Sequence, residues 1–329
     1  MSRLDRFRWF KHYDQQNKKD VSTSSSTTIL EGIICILYLS TPLTLPKDLG
    51  KSANDLLSKD FPINGTQLEV KTKTPSNVSF KVSGLRDSKS ANINGDIEGK
   101  YVDASKGVIF TQAWTTSNVL KSQLELENNI AKGLKLDIQS SLLPQGGGKS
   151  ALAGAIFKQP GLHGRAFLDV FKGPTFTLDS VVGKDGLLAG AETSYSVQDG
   201  KISKYAAAVG YSAPEYAVTL HGLNNLNVFA ASYYHRVSRD VEAGAKAIYD
   251  TKIGPSNVNL EVGAKTYLDN AAFVKSKINN AGILALGYTQ ALRPGVKASF
   301  GLALDTQRLN DTSAGPSAHK IGAAFTFES

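Results

Sequence analysis

The sequence predicts an all-β chain that crosses a membrane as an antiparallel β-barrel, and three observations predict it. From Gln67 to the end, polar and apolar residues alternate with a period of two, the mark of strands with one wet face. Turn signals such as Pro75-Ser76-Asn77, Lys184-Asp185-Gly186 and Gln198-Asp199-Gly200 cut that pattern at near-hairpin spacing. No stretch can span as a helix, which takes about 20 apolar residues; the longest clean run covers residues 33–39. A membrane strand of about 10 residues needs only every second side chain apolar. The 41% hydrophobic content of these 329 residues is therefore no argument against a membrane.

The elements follow in chain order. Residues 1–47 begin with Arg3, Arg6, Arg8 and Lys11, pass through a Ser/Thr tract and then an apolar run. They make a poor signal peptide, because Pro42, Pro46 and Lys47 stand where small cleavage-site residues would be needed. Asp5, Asp14 and Asp20 fit an organellar presequence badly, so a disordered or misassigned extension is expected there. Residues 48–60 carry the one good helical pattern: Leu49, Ala53, Leu56 and Leu57 gather on one side, with Lys51, Asp55 and Lys59 opposite. Periodicity alone would seat such a helix on a soluble core. Pro62 closes it.

Strand texture occupies about 67–328. Leu68, Val70 and Thr72 alternate with Glu69, Lys71 and Lys73, and Val78, Phe80 and Val82 with Ser79, Lys81 and Ser83. Similar segments lie at 108–114, 120–126, 134–142, 162–171 and onward to 321–327, up to about nineteen in all. An up-and-down sheet of that size must manage its edges, and closure removes them. A barrel so wide cannot be filled by side chains. The charged face therefore points into a water-filled lumen and the apolar face to lipid. A soluble β-rich binding or adhesive protein is the alternative, distinguished by solubility without detergent.

Collinear segments over 48–329 resemble the mitochondrial outer-membrane porins, the voltage-dependent anion channels, and the fungal members most of all. They include residues 48–61, Ala131-Lys132-Gly133-Leu134-Lys135, His163-Gly164-Arg165-Ala166-Phe167, residues 229–235, Leu286-Gly287-Tyr288-Thr289-Gln290 and residues 319–329. Nineteen strands is the count belonging to that family rather than one derived from these segments. The resemblance implies a porin domain over 48–329 with the helix inside the lumen, which reverses the soluble-core expectation. Leu49, Ala53, Leu56 and Leu57 would face the wall, and Lys51, Asp55 and Lys59 the ion path. It further implies a voltage-gated, mildly anion-selective diffusion pore of the mitochondrial outer membrane. Ions, ATP, ADP and small hydrophilic metabolites would permeate, with lipid and the import and assembly machinery as partners and a homo-oligomer left open. Residues 1–47 have no counterpart in the family.

Lys71, Lys81 and Lys135 fall on the wet face and are expected to line the pore. From Asp48 onward basic residues exceed acidic ones by +5, so selectivity should be mild. Lys320, Gly322, Phe325 and Phe327 match the family's terminal-strand insertion signal, although Phe325 and Phe327 would face lipid in any barrel.

Other motifs yield to plainer readings. Gln145-Gly146-Gly147-Gly148-Lys149-Ser150 lacks the first glycine of a phosphate loop, since position 143 is Leu143, and reads as a hairpin turn. Gly133 reads as a turn residue, and Ala285 breaks the glycine pair that animal relatives associate with nicotinamide nucleotides. The resemblance places at Gln123 an acid that some animal members turn toward lipid, whereas alternation groups Gln123 with Lys121 and Glu125 on the wet side. His163, Arg165 and Asp169 share a strand face without a nucleophile pattern, so no catalysis is expected. The single cysteine, Cys35, excludes a disulfide scaffold and a cysteine zinc site, and no cofactor or metal is expected. A net charge of +8 without a basic cluster interleaved with aromatics does not indicate nucleic acid.

Overall fold

The computed structural model describes residues 49–329 apart from 89, 91, 172, 254–257 and 310–318. The extension at 1–47, Asp48 and Cys35 lie outside the described residues. Among the described residues one helix, α1 (Lys51–Ser58), precedes nineteen strands. The first ten are β1 (Gly65–Lys73), β2 (Val78–Asp87), β3 (Ile93–Asp103), β4 (Val108–Thr115), β5 (Leu120–Glu127), β6 (Leu134–Leu142), β7 (Lys149–Gln159), β8 (Leu162–Asp169), β9 (Thr175–Lys184) and β10 (Leu187–Ser196). The rest are β11 (Lys201–Ser212), β12 (Tyr216–Leu223), β13 (Val228–Arg236), β14 (Val241–Asp250), β15 (Val258–Tyr267), β16 (Ala272–Asn279), β17 (Ile283–Arg293), β18 (Val296–Asp305) and β19 (His319–Glu328).

Every strand pairs antiparallel with the next, from β1 with β2 through β18 with β19. The ring closes where β1 meets β19 in parallel, with Thr66 opposite Ala323 and Lys71 opposite Glu328. Alternating directions around an odd number of strands force one parallel seam, a consequence the period-two pattern does not display. Closure leaves no unpaired edge to meet hydrocarbon. Turn residues set the corners: β9 and β10 are joined through Asp185 (φ 52°) and Gly186 (φ 85°), the double positive φ of a type I′ hairpin. The Gly146-Gly147-Gly148 segment is a turn that runs into strand β7 rather than a helix.

Register separates the two faces. Leu68 and Val70 on β1, Phe80 and Val82 on β2, Ile97 on β3 and Phe110 and Trp114 on β4 share the outer, exposed face. Glu69, Lys71, Lys81, Asp96 and Glu98 share the inner one. Gln112, Ser122 and Ser140, opposite one another on β4, β5 and β6, are the polar exceptions among the outer residues of those strands. A nineteen-stranded ring at about 4.8 Å per strand and about 40° tilt is roughly 38 Å across between backbone centres. A helix about 10–12 Å thick fills only part of that width.

α1 lies inside this ring. It is shorter than the expected 48–60 because its flanks leave helical geometry: Gly50 adopts φ 77° before it, Lys59 is extended after it, and Asp60 takes φ 63°. Asn54 N–H still donates to Gly50 O at 3.0 Å, and Lys59 N–H to Asp55 O at 3.2 Å.

Candidate functional site

The 3.6-residue period that makes α1 a helix also sorts its side chains into two faces. Ala53, Leu56 and Leu57, with Leu49 just before the helix, are buried, at 4% exposure or less. Lys51 is exposed, and Lys59 lies 2.8 Å from Asp55 with its side chain 60% exposed. The helix rests against β13, β14 and β15. Glycines on the inner face of the wall let it approach so closely. A Cβ on Gly244 would stand 2.7 Å from Leu56 Cδ2, and one on Gly263 2.7 Å from Leu57 Cδ2. Farther along, a Cβ on Gly287 would collide with Asp60 O, and one on Gly301 or Gly322 with Pro62 O. Because Gly244 is opposite Gly263, and Gly287, Gly301 and Gly322 are opposite in turn, these positions form a shallow track for the helix and the segment leading into β1.

Polar contacts add direction. Lys246 Nζ donates to Asn54 Oδ1 at 2.7 Å. Lys275, 4% exposed, donates to Asp55 O at 3.0 Å and Lys59 O at 3.1 Å, and its Nζ is 3.0 Å from Asp60 Oδ2. These wall lysines escaped sequence reasoning. Alternation places Lys275 and Lys277 together on a wet face, but the partners of Lys275 lie more than 200 residues away, and no local pattern announces them.

The other wall lysines expected to line the pore are on the inner face, each beside a carboxylate. Lys71 is 2.8 Å and Lys81 3.5 Å from the same Glu69, and Lys135 is 2.9 Å from Glu125. They are not gathered into one site: Lys71 and Lys81 sit opposite each other on β1 and β2, whereas Lys135 stands on β6. Glu69 and Glu125 were the functional residues missed there; the alternation that exposes the lysines exposes the acids equally. Gln123 points inward, donating to Glu125 and Asp137 at 3.0 Å, as alternation and not the animal position required. Arg165 pairs with Asp179 across the β8–β9 ladder. Gly133, at φ 81°, donates its N–H to Asn128 Oδ1 in a turn.

On the terminal strand, Lys320 and Gly322 face inward while Phe325 and Phe327 face outward. Phe325 meets Phe300 edge-on, with ring centroids 6.1 Å apart. Among the described residues no group of three or more His, Cys, Asp or Glu side chains is arranged to hold a metal. The inner surface is thus a wide polar wall of paired charges, with a helix on one side and water-accessible space beside it. It can pass hydrated solutes without holding any of them tightly.

Comparison with known proteins agrees with this architecture. The eukaryotic porin family model matches residues 44–322. The chain is 46% identical over 283 residues to the mitochondrial outer membrane protein porin of Neurospora crassa, covering 86% of this chain and 98% of that one. It is 39% identical over 281 residues to the protein of the same name from Candida albicans, covering 85% and 97%. With the non-selective voltage-gated ion channel 1 of Saccharomyces cerevisiae it shares 33% identity over 283 residues, covering 85% and 97%. A ring of nineteen strands with a helix docked on its polar inner face, matched along nearly its whole length by these relatives, belongs to the eukaryotic porin family.

Proposed function

We propose that the chain forms a voltage-gated, mildly anion-selective diffusion pore in the mitochondrial outer membrane, passing ions, small hydrophilic metabolites and adenine nucleotides such as ATP and ADP. The observation that carries this is the closed barrel whose inner face is charged and whose outer face is apolar. Such an outer face belongs in lipid and is hard to reconcile with a soluble binding or adhesive protein. The relatives from Neurospora and Candida carry the outer-membrane porin name, and the yeast relative the name of a voltage-gated channel.

The physics of conduction is electrostatic. Lys51, Lys59, Lys71, Lys81 and Lys135 raise the local anion concentration along the wall, whereas Asp55 and the neighbouring glutamates offset them. The Debye length is about 8 Å at physiological ionic strength, far less than the width of the ring. The wall field therefore reaches only part of the lumen, and discrimination stays weak. Leu49, Ala53, Leu56 and Leu57 hold the helix to the wall, and the helix is the element whose displacement closes the pore. Lys320, Gly322, Phe325 and Phe327 serve as the insertion address read by the outer-membrane assembly machinery. Residues 48–329 constitute the working domain, and 1–47 are dispensable.

Purified protein reconstituted in a planar bilayer tests the proposal. Stepwise conductance that falls at high voltage of either sign, with a reversal potential slightly toward anions in a salt gradient, is the expected result. Protein that stays soluble without detergent and adds no conductance would overturn it.

A further inference from the structure

The two ends of α1 are held very differently. At its C-terminal end, three oxygens converge on one buried ammonium: the carbonyls of Asp55 and Lys59, and the carboxylate of Asp60. The last carbonyls of a helix carry the negative end of its dipole, so a cation there is favoured; Asp55 O already accepts from Lys59 N–H, and the ammonium is its second donor. Lys275 supplies that cation from the wall, on strand β16. The same end is where Leu56 and Leu57 settle over Gly244 and Gly263. Phe61 follows, with Lys275 Nζ 5.9 Å and Lys277 Nζ 4.9 Å from its ring centre. Lys277 is itself fixed 2.9 Å from Glu261.

At the N-terminal end no side chain caps the helix, and Gly50 stands at the N-cap. A cavity of about 350 Å³ opens there, lined by Lys51, Ser52, Thr219, Ser232 and Tyr234 among others. This end meets the wall through packing, with Leu49 buried and Gly50 close against Thr219 and Ser232, and a side-chain hydrogen bond from Lys246 to Asn54 ties the middle of the helix to the wall.

We infer that Lys275 is a latch: it fixes the C-terminal end of α1 to the barrel wall and thereby sets the voltage at which the channel leaves its open state. This rests on the proposal that α1 is the gate, and it assigns the positioning role to a residue outside the helix. Replacing the ammonium by the shorter, neutral amide of glutamine removes the charge that faces the Asp60 carboxylate and weakens the bonds to the Asp55 and Lys59 carbonyls, so the docked state loses ground to any displaced one. With the latch closed, movement is confined to the uncapped half that carries Lys51.

The test uses the full chain in planar bilayers, with Cys35 replaced by Ser. Lys275→Gln should leave the open conductance unchanged while lowering the closing voltage, with at least a ten-fold fall in the open-to-closed ratio at a fixed voltage. Lys275→Arg, which retains the cation, should recover most of that loss. Parent-like gating of Lys275→Gln, or no recovery with Lys275→Arg, would overturn the latch. Lys51→Gln separates the two levels. If it alters gating while Lys275→Gln does not, the helix is the gate and Lys275 is not its latch; if neither alters gating, the helix reading itself fails.

Discussion

Gly244→Ala is a small change with a sharp expected consequence. The added methyl would stand 2.7 Å from Leu56 Cδ2, too close for carbon atoms, so either Leu56 or the helix must move. Overpacking of this kind costs about 1–3 kcal/mol, which is roughly a five- to 150-fold loss in the docked-to-displaced ratio of α1. Barrel pairing is untouched, because Gly244 presents the new methyl inward while its backbone keeps its bonds to β13 and β15. In planar bilayers the variant should therefore insert normally and show the parent's open conductance, yet close at a lower voltage. Leu56→Ala alone should also destabilise docking, by about 2–5 kcal/mol for a buried leucine. The two changes together should be milder than their sum, since the alanine at 56 makes room for the one at 244. Non-additivity of about 0.5–3 kcal/mol is expected for residues in contact. Gating of Gly244→Ala indistinguishable from the parent, or strict additivity in the double variant, would refute the docking of Leu56 on Gly244.

Further outcomes follow from the same geometry. Glu69 faces both Lys71 and Lys81, so Glu69→Gln should move the reversal potential toward anions, and Lys71→Glu with Lys81→Glu and Lys135→Glu toward cations; an unmoved potential in a salt gradient would place these side chains outside the lumen. Lys51→Gln should flatten the voltage dependence: an elementary charge crossing a third of a 100 mV field is worth about 0.8 kcal/mol, roughly a four-fold change in the open-to-closed ratio. Phe325→Asn should reduce assembly into outer membranes, whereas Gly322→Ala, whose methyl would meet Pro62 O and Gly65 O, should shift gating in whatever fraction assembles; normal gating there would leave Gly322 to the insertion address alone.

Much of this fold can be read from the sequence, because its rule is local. Alternation at Leu68, Val70, Phe80 and Val82 fixes which side of each strand is apolar, and turns such as Asp185-Gly186 declare the corners through their positive φ. The helix faces are equally local, from the spacing of Leu49, Ala53, Leu56 and Leu57. What stays hidden depends on pairing between distant segments. The parallel seam of β1 with β19 follows from the strand count and not from any residue in either strand. The neutralisation of Lys71 and Lys81 by one shared Glu69 depends on register. Lys275 looks like any other lumen lysine until the ring closes and carries it to the end of a helix more than 200 residues away. Gly322 reads as part of a terminal motif, yet its lack of a side chain is also demanded by Pro62.

The charged face of the wall meets water and the apolar face meets lipid, and two adjacent residues on β1 distinguish the faces. In a Cys35→Ser background, Val70→Cys and Lys71→Cys channels are exposed to a charged, membrane-impermeant thiol reagent while current is recorded in a planar bilayer. Lys71→Cys should react and change conductance in a step, because position 71 shares the inner face with Glu69; Val70→Cys should stay silent against lipid. Reaction at position 70 with silence at position 71 would turn the barrel inside out, with its apolar face toward water.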